Sequence, residues 1–126
     1  MNNLLSTTFK ADSDLSTKQY FLGKRTATGV DIAAANDRVL GPIVNKPKQA
    51  GGAAIQVAGI AFVKAGAAVT AGDYLKADAN GRAITAAGEA PGTLVEAFGI
   101  ALEAATALDD QIRVLLQRVV INRAVS

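Results

Sequence analysis

Gly59–Thr85 reads G-I-A-F-V-K-A-G-A-A-V-T-A-G-D-Y-L-K-A-D-A-N-G-R-A-I-T, with F-G-I-A-L-E-A-A following over 98–105 and I-R-V-L-L over 112–116. Short apolar runs are cut again and again by glycine, aspartate or asparagine, the residues that tight turns require. Asn80-Gly81, flanked by Tyr74–Ala79 and Arg82–Thr85, predicts a β-hairpin closed by a type I′ turn, because that turn needs positive φ at both central positions. Ala71-Gly72-Asp73 predicts a second tight turn. The pattern is that of a small all-β domain with at most one short helix, which Asp31 would cap through Ala33–Ala35.

Working outward, Ala53–Lys64 is the longest strand candidate. Ile55, Val57 and Gly59 share one parity, while Ile60, Phe62 and Lys64 share the other, so a bulge or bend is expected near Gly59. Upstream, Tyr20-Phe21-Leu22 predicts a first strand ended by Gly23. Gly41-Pro42 interrupts Arg38–Val44, leaving an edge strand or two short pieces. Lys46-Pro47-Lys48 and Gly51-Gly52 bracket a loop. Downstream, Gly88–Gly92 is a loop, and Leu94–Glu103 and Gln111–Val120 supply two closing strands. Gly59-Ile60-Ala61 recurs as Gly99-Ile100-Ala101, and Asp73-Tyr74-Leu75-Lys76 is echoed by Asp110-Gln111-Ile112-Arg113, a weak internal repeat. Residues 1–17 are polar and aperiodic, which predicts an extended or flexible N-terminal arm before a single β-rich domain over 18–126. Such an arm either frays or adds as a strand to a neighbour's sheet edge.

A chain of 126 residues fits one domain and buries roughly two-thirds of its unfolded surface. Its six aromatics are Phe9, Tyr20, Phe21, Phe62, Tyr74 and Phe98, so the core must be built mainly from Ala and Val. Thirteen basic and eleven acidic residues give a net charge of +2 without a dense basic block, which argues against nonspecific nucleic-acid binding. Cysteine and histidine are both absent. That excludes disulfides, thiolate metal sites and Ser-His-Asp catalysis. Residues 1–10 lack the basic start and apolar run of a signal peptide. Gln49–Gly72 is apolar enough to suggest a membrane span, but Lys64 lies inside it and would cost about 2.5–3.5 kcal/mol at the bilayer centre.

No motif carries chemistry. The carboxylates Asp73, Asp78, Glu89, Glu96, Glu103, Asp109 and Asp110 could form an acid–base pair in principle, but none stands in a recognisable pattern. Gly66–Gly72 has five residues between its glycines where a phosphate loop has four, and Asp73 follows where Lys is required. Asp78-Ala79-Asn80-Gly81 lacks the further ligands of a calcium loop. V-T-A-G-D-Y-L-K resembles the start of biotinyl and lipoyl carrier domains, yet Lys76 lies within a strand and not at the hairpin tip. With no Trp, few aromatic platforms are available for carbohydrate, and Tyr20, Phe21 and Tyr74 read as core or subunit contacts.

The segment from Ala58 to Leu116 resembles the bacteriophage head-decoration, or capsid cement, proteins. The likeness is carried by Gly59–Lys64, by A-G-A-A-V-T-A-G-D-Y-L over 65–75, by the glycine-containing hairpin Asp78–Ile84, by G-I-A-L-E-A-A over 99–105, and by Ile112–Leu116. It covers a little under half of the chain. The resemblance implies a small β-barrel or β-tulip-like domain that assembles as a homo-oligomer, a dimer or trimer, on the outer surface of an icosahedral head. There it would bridge major capsid protein subunits, with no cofactor, metal or catalytic residue and no direct contact with nucleic acid or membrane. Leu4, Leu5, Phe9, Tyr20 and Phe21 are the expected capsid or subunit contacts. The rival expectation is a cell-surface or carbohydrate-binding β module.

Overall fold

The computed structural model describes residues 5–35, 37–86 and 94–122, with side chains over 6–35, 37–86 and 96–118. The strands are β1 (Leu5–Lys10), β2 (Leu22–Arg25), β3 (Val30–Ile32), β4 (Gly41–Pro42), β5 (Gly52–Lys64), β6 (Tyr74–Ala77), β7 (Ala83–Thr85), β8 (Leu94–Ala101) and β9 (Gln111–Asn122). A six-stranded sheet has the order β1-β5-β9-β8-β6-β7, and a three-stranded sheet has the order β3-β2-β4. All of these strand pairs are antiparallel. The all-β class therefore holds, while neither sheet closes into a barrel. A parallel bridge from Ala65 to Ala83 nevertheless brings β7 round to the end of β5. No helix occurs among the described residues; where Asp31 was expected to cap one, Val30–Ile32 pairs with β2 instead.

β5 is the strand on which the architecture turns. Gly52–Ala58 pairs with β1, and Gly59–Lys64 pairs with β9. At the handover Gly59 takes φ +87°, and the β1 register skips Val57 between Gln56 and Ala58. The parity change in the sequence thus corresponds to a bulge at which the strand bends. Gln56 is 2% exposed, and its Nε2 donates to the carbonyls of Ala58 (3.0 Å) and Ile60 (2.9 Å), the two residues that flank Gly59. Leu5–Lys10, expected as part of an arm, lies along β5 of its own chain. Ala11 and Leu15, just beyond it, are buried with Val30, Ile43, Ala53 and Ile55.

The Asn80-Gly81 hairpin is present, with β6 pairing with β7, but its turn is not type I′. Only Gly81 has positive φ (+79°). Asp78 N–H donates to the Arg82 carbonyl at 2.8 Å, enclosing the three-residue loop 79–81 with glycine in the left-handed position. The Asp78 carboxylate accepts from the N–H groups of Asn80 (2.8 Å) and Arg82 (2.9 Å), which favours this longer turn. The loop packs against the small sheet, where Leu22 N–H donates to the Gly81 carbonyl at 2.7 Å. The main core follows from that contact. Leu22, Ala33 and Val39 meet Val63, Leu75, Phe98, Ile112 and Val114, all buried. Full burial of a Leu or Val side chain contributes about 1.5–3 kcal/mol.

Candidate functional site

The outer face of the six-stranded sheet carries an apolar row. Ile60 on β5 faces Leu115 on β9, Leu115 faces Ile100 on β8, and Ile100 faces Tyr74 on β6. Directly opposed residues in antiparallel strands share a face, so the four side chains form one line across four strands. Ile60 is 53% and Tyr74 42% exposed. A second line runs beside it: Phe62 opposes Arg113, and the Leu102 N–H donates to the Arg113 carbonyl at 2.9 Å. Phe62 and Leu102 are exposed as well. Arg113 is neutralised within the chain by Glu103 at 2.8 Å. Its hydrogen bond holds the Glu103 carboxyl below the usual range.

The second feature is an open notch of about 380 Å³ lined by Ser16, Thr17, Gln19, Tyr20, Phe21, Lys46, Lys64 and Gln111. Tyr20 sits in the left-handed region (φ +69°). Its N–H donates to the Ile43 carbonyl at 2.6 Å, and its carbonyl accepts from Lys64 N–H at 3.0 Å. The Tyr20 ring meets Phe62 at a centroid distance of 5.9 Å, so the notch adjoins the apolar row. Phe21 is buried between two cations, Lys18 Nζ at 4.8 Å and the Arg82 guanidinium at 4.9 Å. Arg82 pairs with Asp109 at 2.6 Å. That hydrogen bond lowers the Asp109 carboxyl below its ordinary value and raises the guanidinium.

Of the residues expected to make contacts, the structure brings Tyr20 and Phe21 together on the notch, with Phe21 mostly inside. Phe9 is elsewhere, half-buried against the second core cluster beneath the Arg25 guanidinium at 4.6 Å. Leu5 lies on β1 opposite Ala58; its side chain, and Leu4 entirely, fall outside the described residues. Sequence reasoning missed Ile60, Phe62, Leu102, Lys46 and Lys64. One signal was available, since Phe62 shares parity with Lys64 and a strand face bearing Lys faces solvent. Among the described residues no group of acidic side chains is placed to hold a metal ion.

The family model for phage cement proteins matches residues 2–116. The chain belongs to that family. This makes it a structural protein of the phage capsid, and it extends the likeness well beyond the segment legible in the sequence. The fold is also similar to that of the head fiber gp8.5 N base of bacteriophage phi29. That match has a TM-score of 0.67 and 21% identity over 90% of this chain and 94% of the other. No curated protein matches the chain.

Proposed function

We propose that this cement protein decorates the outer surface of an icosahedral phage head as a small homo-oligomer, dimer or trimer, bridging neighbouring major capsid protein subunits without catalysing a reaction. The observation that carries the reading is the family match over 2–116. The two surface features support its finer parts. The Ile60–Leu115–Ile100–Tyr74 row has the uncharged, aromatic-bearing character of an interface core, and it is bordered by an ion pair closed within the chain. β1 is the edge strand of the six-stranded sheet, so its free edge is the natural place for a capsid or sister-subunit strand to add, and Leu4, Leu5 and Phe9 are proposed to contribute to that contact. Repetition on a lattice lets modest contacts sum to firm attachment.

The test is addition of purified protein to heads assembled without it, read by co-sedimentation and electron microscopy. Ordered density outside the shell between capsid subunits is expected; density inside the shell, or no binding at saturating protein, refutes the reading. Ile60→Asp, measured by light scattering, should convert the oligomer to a folded monomer. An unchanged mass would remove the apolar row from the interface.

A further inference from the structure

We infer that the notch at Tyr20 is a docking site for an acidic, extended polypeptide segment of a partner. The inference rests on the capsid role proposed above, which puts protein and not packaged nucleic acid against this face. Lys46 and Lys64 line the notch, Lys18 stands beside it, and none of the three is in an ion pair among the described residues. Asp109, which feels Lys64 and Lys18 at longer range, is already engaged by Arg82. Most of the chain's other cations lie within reach of an acidic group, as Lys24 does with Asp37 and Arg113 with Glu103. Here the positive charge exceeds the negative, and the surplus faces an opening.

The remaining lining fits a peptide. Thr17 and Gln111 supply neutral polar groups of the kind that meet backbone amides, and the Tyr20–Phe62 ring pair gives an apolar shelf for one partner side chain. Gln19 donates its amide to the Val44 carbonyl at 3.0 Å, fixing that wall. Tyr20 is held in a conformation that costs of order 1–3 kcal/mol for a non-glycine residue. Backbone bonds to Ile43 and Lys64 maintain it, and Tyr20 lines the notch with its ring against Phe62. The site is open and built from four separate chain segments, 16–21, Lys46, Lys64 and Gln111, the last two paired across β5 and β9.

The experiment uses the full chain and a fluorescent glutamate-rich peptide carrying one phenylalanine, followed by anisotropy at low and physiological salt, with oligothymidylate as a second probe. The expected result is saturable peptide binding that weakens with salt and falls about tenfold or more in the double variant Lys46→Glu/Lys64→Glu. Lys48→Glu, at a residue that does not line the notch, should bind as the wild type does. Lys46→Gln/Lys64→Gln serves if the reversed charges perturb folding, and it should show a smaller loss in the same direction. Equal binding by the double variants, loss in Lys48→Glu alone, or preference for oligothymidylate would overturn the inference. Failure of the wild type to decorate heads while the peptide result holds would instead count against the capsid role.

Discussion

Replacing Gln56 by Leu would test whether the bulge in β5 is held by its one buried amide. Gln56 is 2% exposed and its Nε2 reaches two carbonyls, those of Ala58 and Ile60. Carbonyls only accept, so the amide nitrogen is the end that must point there. Leu is close in size, which keeps any cavity small, but it strands two acceptors at about 1–3 kcal/mol each. Allowing about 1 kcal/mol back for the added apolar burial, the net loss is about 1–5 kcal/mol. With an unfolding entropy near 2.1 cal/mol/K per residue, a chain of 126 residues loses roughly 4 °C per kcal/mol, so Tm should fall by about 4–20 °C. Scanning calorimetry at fixed protein concentration measures this. A fall of less than about 3 °C would refute the reasoning, because the carbonyls would then have found other partners. Gln56→Glu supplies the sign control. Ionised, it offers two acceptors to two acceptors, so folding raises its pKa above the unfolded value near 4.3. Relative to wild type, this variant should be more stable near pH 4 than at pH 7.

Ala50 is exposed at φ +68°, so Ala50→Gly should relieve the left-handed cost and raise Tm by about 2–4 °C, net of the entropy glycine adds to the unfolded chain. Gly41→Ala should be far more damaging than a typical surface change: a Cβ there overlaps the Gln56 carbonyl oxygen on the backbone of β5. Loss of soluble, cooperatively melting protein is expected, and a Tm within about 2 °C of wild type would contradict it. The pH profile of Tm should be flat from about 6 to 8, since the chain has no His, and should fall below about pH 4. Asp12 is lowered chiefly by Thr26, Asp37 by the Ala34 N–H, Asp110 by the Thr106 N–H and Glu103 by Arg113, from ordinary values of 3.8 for Asp and 4.5 for Glu. Depressed carboxyls contribute stability above those values and lose it as pH falls through the folded ones. A Tm that rose on acidification would contradict these contacts.

Local chemistry explains what could be read in advance. The parity change around Gly59 located the bulge because a strand's two faces alternate strictly, and only an irregularity can exchange them. The Asn80-Gly81 hairpin was placed correctly, but its turn type depends on where the Asp78 carboxylate bonds, which the flanking alternation does not encode. The Gly59-Ile60-Ala61 and Gly99-Ile100-Ala101 echo gains a physical meaning from the register. Both triplets pair with Leu116, Leu115 and Val114, one on each side of β9. Each needs a small residue beside Leu116, an outward Ile on Leu115 and a buried Ala on Val114. The notch was invisible for the opposite reason. The Tyr20 conformation is set by carbonyl and amide partners at Ile43 and Lys64, both more than twenty residues away. The apparent strand over Tyr20-Phe21-Leu22 therefore begins only at Leu22.

The two surfaces differ in what they can face. A patch used between copies of one chain meets itself or a neighbouring part of the same molecule, so an unbalanced charge is opposed by its own kind. The Ile60–Tyr74 row avoids that cost where Arg113 and Glu103 border it, because those two charges already cancel. The Lys46–Lys64 notch does not avoid it: brought against a second notch, it would set cation against cation across a short distance. Phe62 links the two surfaces, standing in the exposed apolar lines on one side and against Tyr20 on the other. An oligomer closed through the apolar row would therefore hold its notches at the border of each subunit interface, displayed toward a partner of opposite charge. Ile60→Asp and Lys46→Glu/Lys64→Glu should then separate cleanly. The first should abolish self-association while leaving peptide affinity per chain nearly intact, and the second should do the reverse. If either variant lost both properties while remaining folded, the two surfaces would have to be treated as one.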